Sequence, residues 1–121
     1  MLTITKEFHF SASHVLSTLP EWHPCARIHG HNYIVRLELS APRESLGPHG
    51  FVRDYRDLDP FKLWLDKTLD HQHLNEALPP TTTPSAENLA LYIYDHWKSH
   101  YPELTAVSIS ETPKTWATYR P

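Results

Sequence analysis

Cysteine is nearly absent from this chain: Cys25 is the single one among 121 residues. A lone thiol excludes an internal disulfide framework and fits a reducing compartment. Positive charge is not in excess either, since 11 Lys+Arg stand against 14 Asp+Glu for a net charge of -3. That balance removes the basic field that nucleic acid or an anionic membrane requires, so neither is expected as a partner. No apolar run approaches the length of a membrane-spanning helix. Met1 to Lys6 lacks the basic-then-apolar order of a secretory leader, so a cytoplasmic protein is expected. Repeats, low-complexity tracts and interdomain linkers are also missing. The expectation is one domain over residues 1–121, long enough to bury roughly two-thirds of its unfolded surface.

With 40% hydrophobic and 21% charged residues the composition is that of an ordinary soluble globular protein; the residue above its usual share is histidine, with ten. Alternation places the elements that carry them. Leu2, Ile4, Phe8 and Phe10 share one side of a half-buried strand, and if the strand continues, Ala12 and His14 join that face. After a Pro-containing loop over residues 15–28, His29, His31, Tyr33, Val35, Leu37 and Leu39 alternate along a second strand. The period then lengthens. Leu58, Phe61, Leu65 and Leu69 form a helical stripe, with Asp59-Pro60 as N-cap and first helical residue. A second helix follows Ser85 as N-cap, carrying Leu89, Ile93 and Trp97. Two short strands remain: one with Val107, Ile109 and Glu111 on a face, and one near Thr115 to Tyr119, joined across Thr112-Pro113-Lys114. The order β-β-α-α-β-β predicts an α+β fold, a four-stranded antiparallel sheet with two helices on one face. Open sheet edges favour pairing with further copies, hence a homo-oligomer.

His29 and His31 point to the same side of an extended segment, and Gly30 between them allows close approach. His14, on the same parity of the neighbouring strand, can add a third nitrogen. Three neutral imidazoles with one open position form a catalytic site of the zinc type, whereas a fourth protein ligand closes it into a structural one. Cys25 is near enough in sequence to be that fourth ligand. A thiolate beside a dication and Arg27 equally suits a proton-abstracting base, and both readings stand. A lone His, or even H-x-H, is by itself often no more than a surface or satisfied core residue. Asp70-His71 reads either as an acid–base unit or as a polar helix exit. Glu111 is either a solvated strand end or an acceptor for an amidine-like group taking two parallel hydrogen bonds.

Together, F-x-F-S-A-x-H at Phe8 to His14, C-x-x-x-H-G-H at Cys25 to His31, L-D-H at Leu69 to His71 and the late Glu111-Thr112 carry a signature. Gly50-Phe-Val-x-Asp54-Tyr and Pro84-Ser-Ala-Glu87-Asn-Leu extend it. The chain resembles the 6-pyruvoyl-tetrahydropterin synthase family over nearly its full length. The three-residue gap between Cys25 and His29 is similar to that of the 6-carboxy-tetrahydropterin synthase branch, which serves queuosine and 7-deazapurine biosynthesis. The resemblance implies the T-fold (tunnelling fold), a hexamer of two trimers with active sites between subunits, and 7,8-dihydroneopterin triphosphate as substrate. It implies that His14, His29 and His31 hold Zn2+, that Cys25 abstracts a proton, and that Asp70 and His71 are its acid–base partners. It also implies that Glu111 holds the pterin ring, with Ser85 where the family has a pterin-contacting Thr. Arg27, Arg53 and Lys114 are candidate cations for the triphosphate. The sister pyruvoyl-forming chemistry, and a non-enzymatic zinc-stabilised interaction module, are the alternatives.

Overall fold

In the computed structural model, which describes residues 1–121, two thirteen-residue strands dominate: Leu2–His14 (β1) and His29–Ala41 (β2). They pair antiparallel throughout, from Leu2 opposite Ala41 to His14 opposite His29. Their alternation decides which face is covered. Phe8, Phe10, Ala12 and His14 of β1 are buried on the same side as Tyr33, Val35, Leu37 and Leu39 of β2. Strand Leu104–Ser110 (β4) pairs antiparallel with β2, and Ala117–Tyr119 (β5) pairs antiparallel with β4.

Two helices cover the apolar face. Asp59–Thr68 (α1) buries Phe61 and Leu65, and Ala86–Trp97 (α3) buries Leu89, Ala90, Ile93 and Trp97. Ser85 is the N-cap of α3, its hydroxyl accepting the Asn88 N–H at 3.2 Å. α3 packs on β4 and β5, while α1 reaches β1. One continuous cluster of 21 buried apolar residues joins sheet and helices. Burying a large apolar side chain is worth about 1.5–3 kcal/mol, so this cluster is the main stabilising term.

The α+β fold stands, with three differences of detail. The sheet has five strands rather than four, with Gln72–His73 (β3) added in the order β3-β1-β2-β4-β5, and is mixed. The additional strand lies parallel to Ala12 and Ser13 of β1. Two polar residues cannot display an alternation, so this pairing comes from docking and not from local pattern. A one-turn helix, Leu74–Ala77 (α2), follows it at once. Secondly, Asp59 is the first residue inside α1 and not its cap; a 3₁₀ turn, Tyr55–Leu58, precedes it and is capped by the Asp54 carboxylate, which accepts the Arg56 N–H at 2.9 Å. Thirdly, the last connection is a wider loop than the tight turn expected, with β5 starting only at Ala117. β1 keeps its outer edge from Leu2 to Phe10 without a strand partner.

Candidate metal centre and its surroundings

Register builds the centre. His14 and His29 are direct cross-strand partners, and His31 lies two residues along β2, opposite Ala12, on the same face. Their ligand atoms all lie within 4.8 Å of one another, and Cys25 is not among the group. His14 is fully buried. Its Nδ1 lies 2.7 Å from the Pro84 carbonyl, and the Nδ1 of His29 lies 2.7 Å from the Arg27 carbonyl. A carbonyl oxygen can only accept, so both rings carry their proton on Nδ1. In the neutral rings each Nε2 is then a lone pair, yet the two Nε2 atoms are 3.0 Å apart.

Facing lone pairs at that distance repel unless a cation lies between them. A shared proton relieves a pair, but the third ring makes the arrangement unsuited to one. The His31 Nε2 is buried and has no hydrogen-bond partner. Burial, the largest influence, lowers the His31 pKa, and His14 and His29 push the same way against the opposing pull of Glu111. Neutral imidazole is the ligating form. These three nitrogens could therefore hold a metal ion, and the donor chemistry fits a metal of the nitrogen-preferring kind.

Glu111 follows directly on β4, its Oε2 3.8 Å from the His31 Nε2. It lines a cavity of about 580 Å³ between the start of α3 and the β4–β5 connection, with Glu87, Ile109, Thr115 and Trp116. Buried Tyr33 packs against the His31 ring, its hydroxyl 3.3 Å from the His14 Nδ1. Burial, with Glu111 adding, raises its pKa well above the ordinary phenol value, so it stays neutral.

Asp70 and His71 form a second unit. The Asp70 Oδ1 accepts the Ser11 N–H at 2.9 Å, and its Oδ2 lies 2.8 Å from the His71 Nδ1. The Ser11 amide first, then His71, holds the Asp70 carboxyl below the usual carboxylate range. The His71 N–H donates to the Ser11 carbonyl at 2.6 Å, and its φ of 58° lies in the left-handed region, which His enters more readily than most side chains. Its side chain is 83% exposed, against 26% for Asp70. His71 and His31 nevertheless face one polar cavity of about 450 Å³, together with Ser11, Ser13, Asn32 and His73.

The remaining expected site residues are placed differently. Cys25 sits half-buried in a 3₁₀ turn, Pro24–Ala26, and its carbonyl accepts the Leu16 N–H at 2.9 Å. It makes no hydrogen bond to Asp70 or His71; this chain joins the latter two to each other and not to the thiol. Arg27 is exposed at its side chain and serves the centre through its carbonyl. Ser85 caps α3, next to the Pro84 carbonyl that orients His14. Lys114 is exposed in the loop before β5. Arg53 lies apart from these residues within the chain: it is paired with Glu103 at 3.1 Å and lines a separate cavity with Leu2, Thr3 and Ile4. At roughly 3.3 Å per residue, that end of β1 is about 33–40 Å from His14. Pro84, Tyr33 and Asn75 were not among the expected site residues. Two act through a carbonyl or a buried hydroxyl, which no spacing rule reveals, even though Pro84 opens one of the quoted motifs.

A β-sheet end that converges three histidines beside a carboxylate could hold a metal ion next to a titratable group, on a scaffold of the T-fold class. The sequence model of the family described as 6-pyruvoyl tetrahydropterin synthase matches residues 3–121. This chain belongs to that family and is a lyase. Among curated relatives, 6-carboxy-5,6,7,8-tetrahydropterin synthase of Bacillus subtilis is 27% identical over a 129-residue alignment, covering 98% of this chain and 84% of the relative. The 6-pyruvoyl tetrahydrobiopterin synthase of Drosophila melanogaster is 37% identical over 101 residues, covering 76% of this chain and 57% of the relative. The solved Caenorhabditis elegans 6-pyruvoyl tetrahydropterin synthase superposes with a TM-score of 0.86 at 29% identity, over 99% of this chain and 95% of that one. Membership in a family of lyases sets aside the non-enzymatic interaction module.

Proposed function

We propose that this protein is a zinc-dependent 6-carboxy-5,6,7,8-tetrahydropterin synthase serving queuosine and 7-deazapurine biosynthesis. It converts 7,8-dihydroneopterin triphosphate and water to 6-carboxy-tetrahydropterin, acetaldehyde and triphosphate. The observation that carries the reading is the confrontation of the His14 and His29 Nε2 atoms at 3.0 Å, with the buried, unpartnered Nε2 of His31 beside them.

Zinc held by His14, His29 and His31 supplies a Lewis acid beside the side-chain hydroxyls of the substrate. Glu111 accepts two hydrogen bonds from the amino-pyrimidine edge of the pterin, opening as it does on the larger cavity. Ser85, next to that cavity, keeps its hydroxyl on the helix and brings a polar edge to the ring. Cys25 removes a proton from the substrate side chain. Asp70 orients the His71 ring through Nδ1, which leaves Nε2 to exchange a proton on the other side. The ring gains the electrons that the side chain loses, so the reaction needs no external reductant. Arg27 and Lys114 provide positive charge for the triphosphate.

Cys25 makes no hydrogen bond to Asp70 or the exposed His71 within one chain, which supports a homo-oligomer, a hexamer by resemblance, in which copies complete each other's sites. The unpaired outer edge of β1 supports the same assembly.

A second reading is the pyruvoyl-forming synthase, favoured by the 37% identity to the Drosophila relative. The three-residue gap between Cys25 and His29 favours the carboxy product. Mass-spectrometric product analysis after incubation with 7,8-dihydroneopterin triphosphate decides between them. Acetaldehyde with 6-carboxy-tetrahydropterin is expected; a 6-pyruvoyl product with no acetaldehyde overturns the first reading in favour of the second.

A further inference from the structure

The segment from Asp70 to Asn75 runs beside β1 from Ser11 to Val15 and grips it at successive points. The Asp70 carboxylate and the His71 N–H take the Ser11 backbone. Gln72 and His73 pair parallel with Ala12 and Ser13, and the His73 Nδ1 lies 2.9 Å from the Ser13 hydroxyl. The chain then leaves the edge to form α2, and its backbone can no longer extend the ladder. At that point the side chain of Asn75 takes over. Its Oδ1 accepts the Val15 N–H at 2.8 Å, and its Nδ2 donates to the Val15 carbonyl at 2.9 Å.

One donor and one acceptor from a planar carboxamide reproduce what a further peptide group of a strand would offer. The residue so clamped stands between two functional ones. His14, immediately before it, is the fully buried metal-site histidine, and Leu16, immediately after it, donates its N–H to the carbonyl of Cys25 at 2.9 Å. Fixing both polar groups of Val15 therefore fixes where β1 ends and where the Cys25 turn begins. Water can replace either hydrogen bond singly, but not both in the geometry of one rigid plane.

We infer that Asn75 is a positioning residue that acts as a side-chain strand: its carboxamide locks Val15, and through Val15 sets the placement of His14 in the metal centre and of Cys25 in its turn. The inference rests on the reading of the three histidines as a metal centre for its metal arm, and stands apart from it for its thiol arm.

The experiment compares the full-length wild type with Asn75→Ala, Asn75→Asp and the remote control Tyr101→Phe, which removes a hydroxyl hydrogen bond to the Asp57 carbonyl. Zinc affinity is read by chelator competition with zinc alone, Cys25 reactivity by the rate of alkylation with iodoacetamide, and stability by thermal unfolding. Asn75→Ala is expected to weaken zinc binding about tenfold, the lower end for outer partners of metal ligands. It is also expected to change the alkylation rate several-fold. Asn75→Asp keeps the acceptor for the Val15 N–H and loses the donor, so it falls between. Tyr101→Phe moves neither reading, even where it lowers the unfolding temperature as much. Zinc affinity and alkylation rate in Asn75→Ala equal to those of the wild type overturn the inference, as do shifts no larger than those of the control. Should Asn75→Ala not fold, the same comparison is made on Asn75→Asp. A wild type that binds no zinc overturns the metal-centre reading instead, and the alkylation arm then decides on Asn75 alone.

Discussion

Two sets of histidine, the His14–His29–His31 cluster and His71, meet at one polar cavity in opposite surroundings. His14, His29 and His31 are drawn together on the covered face of β1 and β2, each proton-bearing Nδ1 of the first two tied to a backbone carbonyl. His71 is exposed and leans on a carboxylate. In the first group burial lowers the pKa of His31 and favours its neutral ring with a free lone pair. In the second, Asp70 is the group that is tuned, held ionised by the Ser11 amide and the His71 ring. The difference shows that identity of the side chain does not decide its chemistry. Carbonyl partners and burial suit a ring to ligation; a carboxylate partner and exposure suit it to carrying a proton.

The comparison breaks most severely at the buried group. His14→Ala is expected to abolish metal retention through desalting in a chelating buffer, measured by elemental analysis, and activity with it. Retention of a full metal complement would end the three-histidine reading. Next in size, Cys25→Ala with its metal content intact is expected to lose about 10²–10⁴-fold in turnover, the range for removal of an acid–base group. Wild-type turnover at full metal occupancy would remove the thiol from its role. Glu111→Gln keeps a side chain of the same shape but offers the pterin edge a donor in place of one acceptor. Its expected loss of about 1.5–3 kcal/mol, the worth of a hydrogen bond to a charged group, is roughly 10–100-fold in kcat/KM with zinc affinity retained.

The smallest effect sharpens the second group. Asp70→Asn removes the charge but leaves an oxygen for the Ser11 N–H, so it is expected to cost about 1 kcal/mol, or roughly 4 °C in unfolding temperature. The folded pKa of Asp70 is depressed, so its contribution is complete above the ordinary carboxylate range and is lost as pH falls through the folded value. The gap between wild type and variant is therefore full at pH 7 and closes below about pH 4. An equal gap at both pH values would show that the carboxylate charge is not what holds this segment to β1.

Much of this was legible in the residues themselves. Parity along an extended chain put His29 and His31 on one side and His14 on the matching side of its own strand, and the structure keeps that face. Ser85 announced a helix start and caps α3. The acid–base pair Asp70-His71 is adjacent in sequence and stays joined in space. β3 was not legible, because two polar residues carry no periodicity, and neither was the assignment of Arg53 to an ion pair with Glu103 at the far end of the sheet. An arginine near a motif in sequence is a candidate for an anion; which carboxylate it meets depends on the folded path between them.

The order of apolar and polar side chains by itself determined the two long strands, the two long helices and the face each would bury, since alternation and helical period are local properties of the chain. It also determined which side chains could bind a metal or move a proton. Tertiary structure alone decided that His14 stands opposite His29, that the Pro84 and Arg27 carbonyls take their Nδ1 protons, and that Asn75 finishes the edge of β1. Backbone carbonyls and strand register are carried by every residue alike, so they acquire chemical meaning only when the fold brings two distant segments to within a hydrogen bond of each other.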